Sequence, residues 1–559
     1  MKIRMVCLED GIMSCGFRKM AAWAERLNAD TRSCFVSTNH FSNIRYLKGQ
    51  MGGTAEFDAA AVDEVARGLA DADLIGFSSM SGYADMTRAV IRRVRELSKN
   101  TYIVWGGIHP IIDPEDAITA EVDAICTGEG EFAFEQLYEL LKSGKDFTKV
   151  ENFWFKRGDR VTRNGFLPLM SGAEMEQLPF PKYGEREWIY KKTKGFIPAT
   201  VSDYLQTNGL GYNAIWSIGC PLHCTYCGNT KFIANDRAYK KLRHPSASYC
   251  VEEIKAVVRK HPHVSQVSFH DDSFMAIPYK ELAHFAELWH RDVKLPFAVY
   301  GVIPNYVKRE KIEILTWAGM NRIRMGIQTG SERILDFYKR PTPPKKIREA
   351  AEVCGSFAPK YHIPPAYDII TDNPIETRQD VIDTLELLYG LKRPFTLNIF
   401  SLKIIPNTEM DRLMKERGID LDMISASYRN IPPRWGNLLL YVVILTHPPR
   451  WLFDKLLERV EATATPQPEY PKLAGLLRFA YFAKRAQDHI RHMDFSTIQG
   501  PAGYVAWRAG LLSLWRKILP KYPRPAPPPA TSPPSVAPPP KAAPTKRLNV
   551  VSARGLEPN

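Results

Sequence analysis

The sequence has no apolar run long enough to cross a bilayer. Its longest, NLLLYVVILT from Asn437 to Thr446, is half of the ~20 residues that a spanning helix needs. A transmembrane helix is therefore not expected. The start, MKIRMVCLED, turns acidic after a lysine and an arginine and lacks the apolar stretch and small-residue cleavage site of a secretory leader, which favours a cytoplasmic protein. Cysteine is sparse: 9 in 559 residues, an odd number scattered outside one short stretch, which excludes a disulfide framework and fits reduced thiols. Acidic residues are scarce near the carboxyl terminus. From Ile431 onward there are 18 Lys and Arg against 7 Asp and Glu, so +11 of the net +14 sits there. The remainder is nearly neutral, which argues against a nucleic-acid groove over the body and for a basic appendage that meets an anionic surface. With 45% hydrophobic and 24% charged residues, the chain can build two or three domains with real cores.

What is present is alternation. Over residues 1–150, apolar runs (KIRMVCL, DLIGFSS, TYIVWGG, DAICTGE) read as strands, and the amphipathic stretches between and after them (DEVARGLADA, DMTRAVIRRVRELSK, EFAFEQLYELLKSG) as helices. That order predicts a doubly wound, Rossmann-like parallel sheet, whose ligands sit at the carboxyl ends of the strands. Three such ends carry small or Gly-rich residues: Ser78 to Gly82, Gly106 to Pro110 and Gly128 to Glu131. Together they point to a shared ligand. Residues 151–210, with LPFPKYGE, read as a connecting segment. A second series over 211–430 (NAIWSIG, QVSFHDD, FAVYGVI, RIRMGIQ, AYDIITD, FTLNIFSL) predicts a partial barrel of six strand–helix units with its chemistry at the strand ends. Residues 431–519 read as helical. From 520 to 559 the chain reads as a disordered tail, with 12 prolines in the 25 residues from Pro520 to Pro544.

Directly after the first strand of the second series stands SIGCPLHCTYCGN, with Cys220, Cys224 and Cys227 inside eight residues. Thiolates are soft ligands for zinc or iron–sulfur clusters. Structural zinc takes four ligands, usually as two separated pairs, and no second pair completes the set. Cys7, Cys15, Cys34, Cys126, Cys250 and Cys354 are isolated, and His223 is read as a non-ligand. A cubane cluster usually takes four thiolates. Three leave one iron open to a substrate.

The spacing of Cys220, Cys224, Tyr226 and Cys227 resembles the Cys-x3-Cys-x-aromatic-Cys signature of the radical S-adenosylmethionine (SAM) superfamily. The resemblance implies a four-iron, four-sulfur cluster whose open iron chelates SAM, and one-electron cleavage of SAM to methionine and a 5′-deoxyadenosyl radical. Further segments resemble the family at the strand ends. HDDSF, with Asp271 and Asp272, looks like the acidic segment after the second strand. MGIQTGSE resembles the SAM-contacting segment and implies roles for Gln328, Gly330 and Ser331, with Gln328 standing where Glu is common. YDIITDNPIET, with Asp368, resembles the later strand beside the adenine, although its usual glycine is replaced around Asp372 and Asn373. For Asp271, Asp272 and Ser331, loop capping is the competing reading.

WGGIHPIIDPEDA and CTGEGEFAFEQL resemble the cobalamin-binding domain of one radical SAM class, with EDGIMSCGF where other cobalamin proteins carry an Asp-x-His-x-x-Gly segment. This implies a base-off corrinoid contacted by Ser78, Ser79, Gly106, Gly107, Gly128, Glu129 and Gly130, with His109 beside it as a loop histidine rather than a cobalt ligand. The resemblance covers roughly residues 1–430. It implies methylation of an unactivated carbon, with oxidative cyclisation or carbon–carbon coupling, a tRNA methylthiotransferase and a cofactor-holding sensor as alternatives. The methylthiotransferase reading lacks its second cysteine cluster and its carboxyl-terminal β-barrel. A reducing partner such as flavodoxin or ferredoxin is expected. No catalytic side chain is assigned; Tyr300, Tyr367 and Cys354 are the candidates for directing the substrate radical. In GYVAWRAGLLSLWRKIL, helical spacing puts Tyr504, Trp507, Leu511, Leu514 and Ile518 on one stripe with cations beside it. Such a helix can lie in a membrane interface or pack on the barrel. The basic balance favours peripheral membrane contact and a lipid-like or isoprenoid substrate.

Overall fold

The computed structural model describes residues 1–9, 12, 14–37, 57–184, 186–424, 426–492 and 501–526. Residues Met1–Arg524 form one compact unit, and Pro525–Asn559 a second. The expected tail falls, beyond Ala526, outside the described residues, as do parts of the EDGIMSCGF loop.

The amino-terminal half is a doubly wound sheet. Its strands are β1 (Ile3–Glu9), β2 (Thr31–Ser37), β3 (Leu74–Ser78), β4 (Tyr102–Gly106), β5 (Ala124–Cys126), β6 (Phe153–Arg157), β7 (Arg160–Arg163), β8 (Glu187–Lys191) and β9 (Gly195–Pro198). They lie in the order β7-β6-β5-β4-β3-β1-β2-β8-β9. The pairings from β5 through β3 and β1 to β8 are parallel, and antiparallel β6–β7 and β9 finish the two edges. Parallel strands covered by helices on both faces bury both sides, which is why β1, β3 and β4 read as near-continuous apolar runs. The connecting segment thus supplies the two edge hairpins, at Phe153–Arg163 and Glu187–Pro198.

The second sheet consists of β10 (Gly211–Ala214), β11 (Gln266–Phe269), β12 (Phe297–Val302), β13 (Met320–Gln328), β14 (Ala366–Thr371) and β15 (Thr396–Ser401). The six strands lie in sequence order and all pair in parallel, with helices between them: the partial (β/α)6 barrel. Alternation sets the two faces. Ile323, Met325 and Ile327 of β13 are buried, while Arg324, Gly326 and Gln328 stay half-buried on the opposite face beside Asp368 and Asn398. One apolar core runs from Ile3 and Phe35 of the first sheet through Tyr183 and Tyr212 to Val267 and Met325 of the second.

The longest apolar run forms the helix Trp435–Leu445, buried against the helices Arg378–Tyr389 and Pro471–Arg491. Tyr481 of the latter reaches the edge strand β15. Its hydroxyl donates to the Leu397 carbonyl at 2.5 Å and accepts from the Leu397 amide at 2.9 Å, so the exposed ladder edge is covered. Among the described residues, no helix is long and apolar enough to cross a membrane.

Two polar clusters tie the parts together. Arg18, on the helix Cys15–Leu27, is buried and pairs with buried Glu187 on β8. It also donates to the carbonyls of Ile12 (3.0 and 2.8 Å) and Lys182 (2.7 Å). In the barrel, Asp380 accepts from the Thr377 amide (2.7 Å), from Ser331 Oγ (2.5 Å) and from Arg333. Burial raises the Asp380 carboxyl, but these hydrogen bonds outweigh it and bring it down to about 2.

Removing one member of a buried ion pair strands the other. Arg18→Met is therefore expected to destabilise the protein by about 3–5 kcal/mol, read as a lower melting temperature, whereas unchanged melting would show the pair to be dispensable. For Asp380, a depressed native pKa means that its stabilisation is complete above the unfolded value near ~3.9 and is lost as pH falls toward about 2. Melting of wild type and Asp380→Asn should differ at pH 7 and converge as pH falls from about 4 toward about 2. A gap independent of pH would refute this.

Candidate functional site

The cysteine loop leaves β10 early, at Ala214, because the next amides are taken by a side chain rather than by a neighbouring strand. Asp271, just past β11, accepts from Trp216 N (3.2 Å), Ser217 N (2.5 Å) and Ser217 Oγ (2.6 Å). Burial pushes its carboxyl up to about 6, against the pull of these bonds. Ile218 then pairs antiparallel with Arg243. Gly219 has φ +113, and a Cβ there would lie 2.6 Å from the Lys241 carbonyl and 2.8 Å from that of Tyr239, so only glycine fits. The Cys220 amide donates to Tyr239 O (3.2 Å), Thr225 N to Tyr338 O (3.0 Å) and Met410 N to Thr225 O (2.9 Å). The loop is thereby pinned on both sides of Cys224.

Cys220, Cys224 and Cys227 are free thiols, the first two buried and the third half-buried. Burial pushes Cys220 up to about 11 and Cys227 up to about 12, so without metal these thiols are neutral. Bound metal removes such protons outright. Among the described residues, no three His, Cys, Asp or Glu side chains close on a single ion. Three thiolates that each take a different iron do not need to. The donor set fits a cluster held by three cysteines with one position left open.

The other barrel residues singled out by sequence divide into two groups. Asp271, Gly330 and Ser331 are engaged in the fold: Gly330 N donates to Thr384 Oγ1 (2.9 Å), and Ser331 caps the helix Glu332–Phe337 while donating to Asp380. Asp368 accepts from Arg324 Nε (2.7 Å) and Asn398 Nδ2 (2.9 Å), and the Arg324 guanidinium lies 5.4 Å from the Phe400 ring centroid. Asp272 is exposed and accepts from the Tyr239 hydroxyl at 3.4 Å, and Gln328, with φ +75, ends β13 half-buried. Of the three candidates for directing a radical, Tyr300 stands half-buried beside His270, ring centroids 4.6 Å apart, whereas Tyr367 and Cys354 are fully buried in the core. Arg340 escaped the sequence reading. It is buried, with Nη1 3.6 Å from Cys224 Sγ and 3.3 Å from the Tyr226 hydroxyl.

At the first sheet, the ends of β3, β4 and β5 stand side by side. Gly107 has φ +88, and a Cβ would fall 2.8 Å from Ser78 Oγ and from Ser79 N. Ser79 is buried and accepts from Trp105 Nε1 (3.0 Å). The His109 ring nitrogens meet Ser81 Oγ (3.3 Å) and Asp116 Oδ2 (2.9 Å), so this histidine is satisfied inside its loop. Gly128 packs on Asn152, whose Nδ2 donates to the Glu129 carbonyl (2.8 Å). The side chains of Met80 and Ile108 remain exposed at these ends, 38% and 41%. Small residues backed by polar loops and edged by exposed apolar side chains fit a flat, amphipathic macrocycle.

The two sites are neighbours. Ile112, in the helix Ile108–Ile112, lies so close to Gly228 that a Cβ there would come within 3.1 Å of its Cδ1, and the Ile112 carbonyl accepts from Asn407 Nδ2 (3.2 Å). The Glu129 carboxylate takes Arg243 Nη2 (2.8 Å) and the Met170 amide (2.7 Å). Arg243 also pairs by its backbone with Ile218, so one ion pair joins the β5 loop to the cysteine loop.

Comparison with known proteins agrees with both halves. The radical SAM superfamily model matches residues 215–388 and the B12-binding domain model matches residues 40–138. An uncharacterised methyltransferase of Pyrococcus horikoshii is 21% identical over 320 residues, 56% of this chain and 64% of that protein. The chain thus spans less than two thirds of that relative's length. The anaerobic magnesium-protoporphyrin IX monomethyl ester cyclase of Synechocystis is 23% identical over 452 residues, 77% of this chain and 82% of its own. Among solved structures, the cobalamin-dependent SAM radical enzyme OxsB, with aqua-cobalamin and SAM bound, shares the fold with a TM-score of 0.59 at 12% identity, covering 93% of this chain and 84% of that one. The three-cysteine loop after the first barrel strand lies inside the radical SAM match and the small-residue strand ends of the first sheet lie inside the B12-binding match, so the chain carries a radical SAM domain over residues 215–388 and a B12-binding domain over residues 40–138.

Proposed function

We propose that the protein is a cobalamin-dependent radical SAM methyltransferase that adds a methyl group to an unactivated carbon of a lipid-like or isoprenoid substrate. The observation that carries this reading is the contact between the platform helix Ile108–Ile112 and the chain directly after Cys227. When bound, the cluster supplies the electron that cleaves SAM and the corrinoid carries the methyl group. The chain's own work is positioning. Cys220, Cys224 and Cys227 hold the cluster; the Asp271 clamp and Gly219 fix the loop that carries them. The small residues at the ends of β3, β4 and β5 bring the macrocycle against that loop. A flavodoxin or ferredoxin is the proposed electron donor.

The lipid part of the reading rests on the carboxyl-terminal helices. Gly510, with φ +73, breaks the expected single helix into Pro501–Arg508 and Leu511–Ile518. Tyr504 and Trp507 turn inward onto His263 and pack with Leu205, Leu210 and Leu512, so they leave the expected stripe. Leu511, Leu514 and Ile518 stay exposed, joined by Trp515, with Lys517 and Lys521 exposed nearby. An apolar face with flanking cations suits an anionic membrane surface. A second reading, oxidative cyclisation, is favoured by the long match to the Synechocystis cyclase.

Reconstituted protein incubated with SAM, a reductant and host lipid extract should cleave SAM, and Cys220→Ala should abolish cleavage. Product mass separates the readings. A gain of one methylene supports methylation, loss of two hydrogens supports cyclisation, and cleavage that survives in Cys220→Ala would refute both. In flotation with vesicles of phosphatidylglycerol and phosphatidylcholine, Leu514→Ser/Ile518→Ser should lower the bound fraction severalfold. Equal binding would remove the membrane contact.

A further inference from the structure

Arg340 is a buried cation without a carboxylate partner among the described residues. It stands just after the helix Glu332–Phe337, 6% exposed. Its Nη2 donates to the Gly326 carbonyl at 2.5 Å, and its Nη1 lies 3.3 Å from the Tyr226 hydroxyl and 3.6 Å from Cys224 Sγ. Its Nε is buried with no hydrogen-bond partner. A guanidinium taken from water costs several kcal/mol unless an anion and hydrogen bonds compensate. A carbonyl and a phenol offer dipoles but no charge. The one anion that the neighbourhood provides is the thiolate that Cys224 becomes when it binds iron.

From this we propose that Arg340 is the counter-ion of the Cys224 thiolate and a positioning residue that raises the reduction potential of the cluster. The inference rests on the reading of the cysteine loop as a cluster site. Its physical basis is that cluster potentials respond to net charge and to hydrogen bonds on the coordinating sulfurs. A fixed positive charge with an N–H directed at one sulfur stabilises the reduced, more negative cluster over the oxidised one. The same side chain holds Gly326, two residues ahead of Gln328, against the cysteine loop. A Cβ on Gly326 would lie 3.2 Å from Arg340 Nη2 and 2.5 Å from Gln328 Nε2, so any larger residue there would have to displace the ends of both side chains. Reduction of the cluster and placement of the SAM segment thus depend on one residue, 116 positions from the cysteine that it contacts.

The test is a redox titration of the full-length holoenzyme, followed by the electron paramagnetic resonance of the reduced cluster, with iron and sulfide quantified in each sample. Arg340→Gln should keep the iron and sulfide content of the wild type. Its ratio of reduced to oxidised cluster at a fixed potential should fall by about tenfold, or ~59 mV for one electron. Arg340→Lys, which keeps the charge, should recover most of that loss. An unchanged potential in Arg340→Gln at full iron content would overturn the proposal. A role in folding alone would not move the potential of correctly loaded protein, nor would lysine restore it. Should Arg340→Gln fail to fold, wild-type protein labelled with 15N-arginine serves instead. Its reduced cluster should show hyperfine coupling to a guanidinium nitrogen, and the absence of coupling would overturn the proposal. Wild-type protein that binds no iron at all would refute the cluster reading itself, an outcome distinct from a cluster indifferent to residue 340.

Discussion

The carboxylate of Asp271 decides where the three cysteines stand. By taking the amides of Trp216 and Ser217, it ends β10 after four residues and turns the chain into the loop that carries the three cysteines. Without that clamp the amides would need strand partners, and the cysteines would continue along the sheet rather than stand at its end. The site is crowded enough that two glycines are obligatory. Gly301, with φ +64, approaches the Asp271 carbonyl so closely that a Cβ would lie 1.9 Å from it, and Gly219 makes a comparable approach to Tyr239 and Lys241. Buried carboxylate, strained glycine turns and free thiols form one construction.

Around it, charge is organised by position rather than by amount. Glu129 and Arg243 join the loop after β5 to the cysteine loop, Asp380 fastens the turn after β13, and Asp368 neutralises Arg324 on the barrel's inner face. Each carboxylate in this set has a partner on another element. Pairs that bridge separate elements in this way fix the loops around the cysteines relative to one another.

Much of the fold was legible because helix and strand periods differ. Five barrel strands and four strands of the first sheet announced themselves as apolar runs between amphipathic stretches, whereas the run NAIWSIG shares only Asn213 and Ala214 with β10 because the Asp271 carboxylate draws the chain off the sheet. The strand Thr31–Ser37 did not, since TRSCFVS breaks its apolar run with arginine and serine. Neither did the edge hairpins, where FWFKR and RVTR alternate polar residues on strands that bury only one face. At the site, the cysteines were legible by spacing alone. The contacts of Arg340 and Arg243 were not, because their partners lie 116 and 114 residues away and no local pattern encodes such a pairing. For Asp271 and Ser331 the functional and capping readings compete in sequence, and their hydrogen-bond partners become visible only in the fold. The carboxyl-terminal stripe failed for a local reason: Gly510 interrupts the helix, and the two halves present different faces.

An open-site cluster and a corrinoid held as neighbours by one chain should sense each other magnetically. The most direct test is the magnetic interaction between the reduced cluster and cob(II)alamin in the doubly loaded protein, measured by pulsed electron paramagnetic resonance. Strong dipolar coupling, lost when Cys224 is replaced by alanine while the corrinoid stays bound, is the expected result. Two full complements of cofactor whose spins relax independently would contradict the claim.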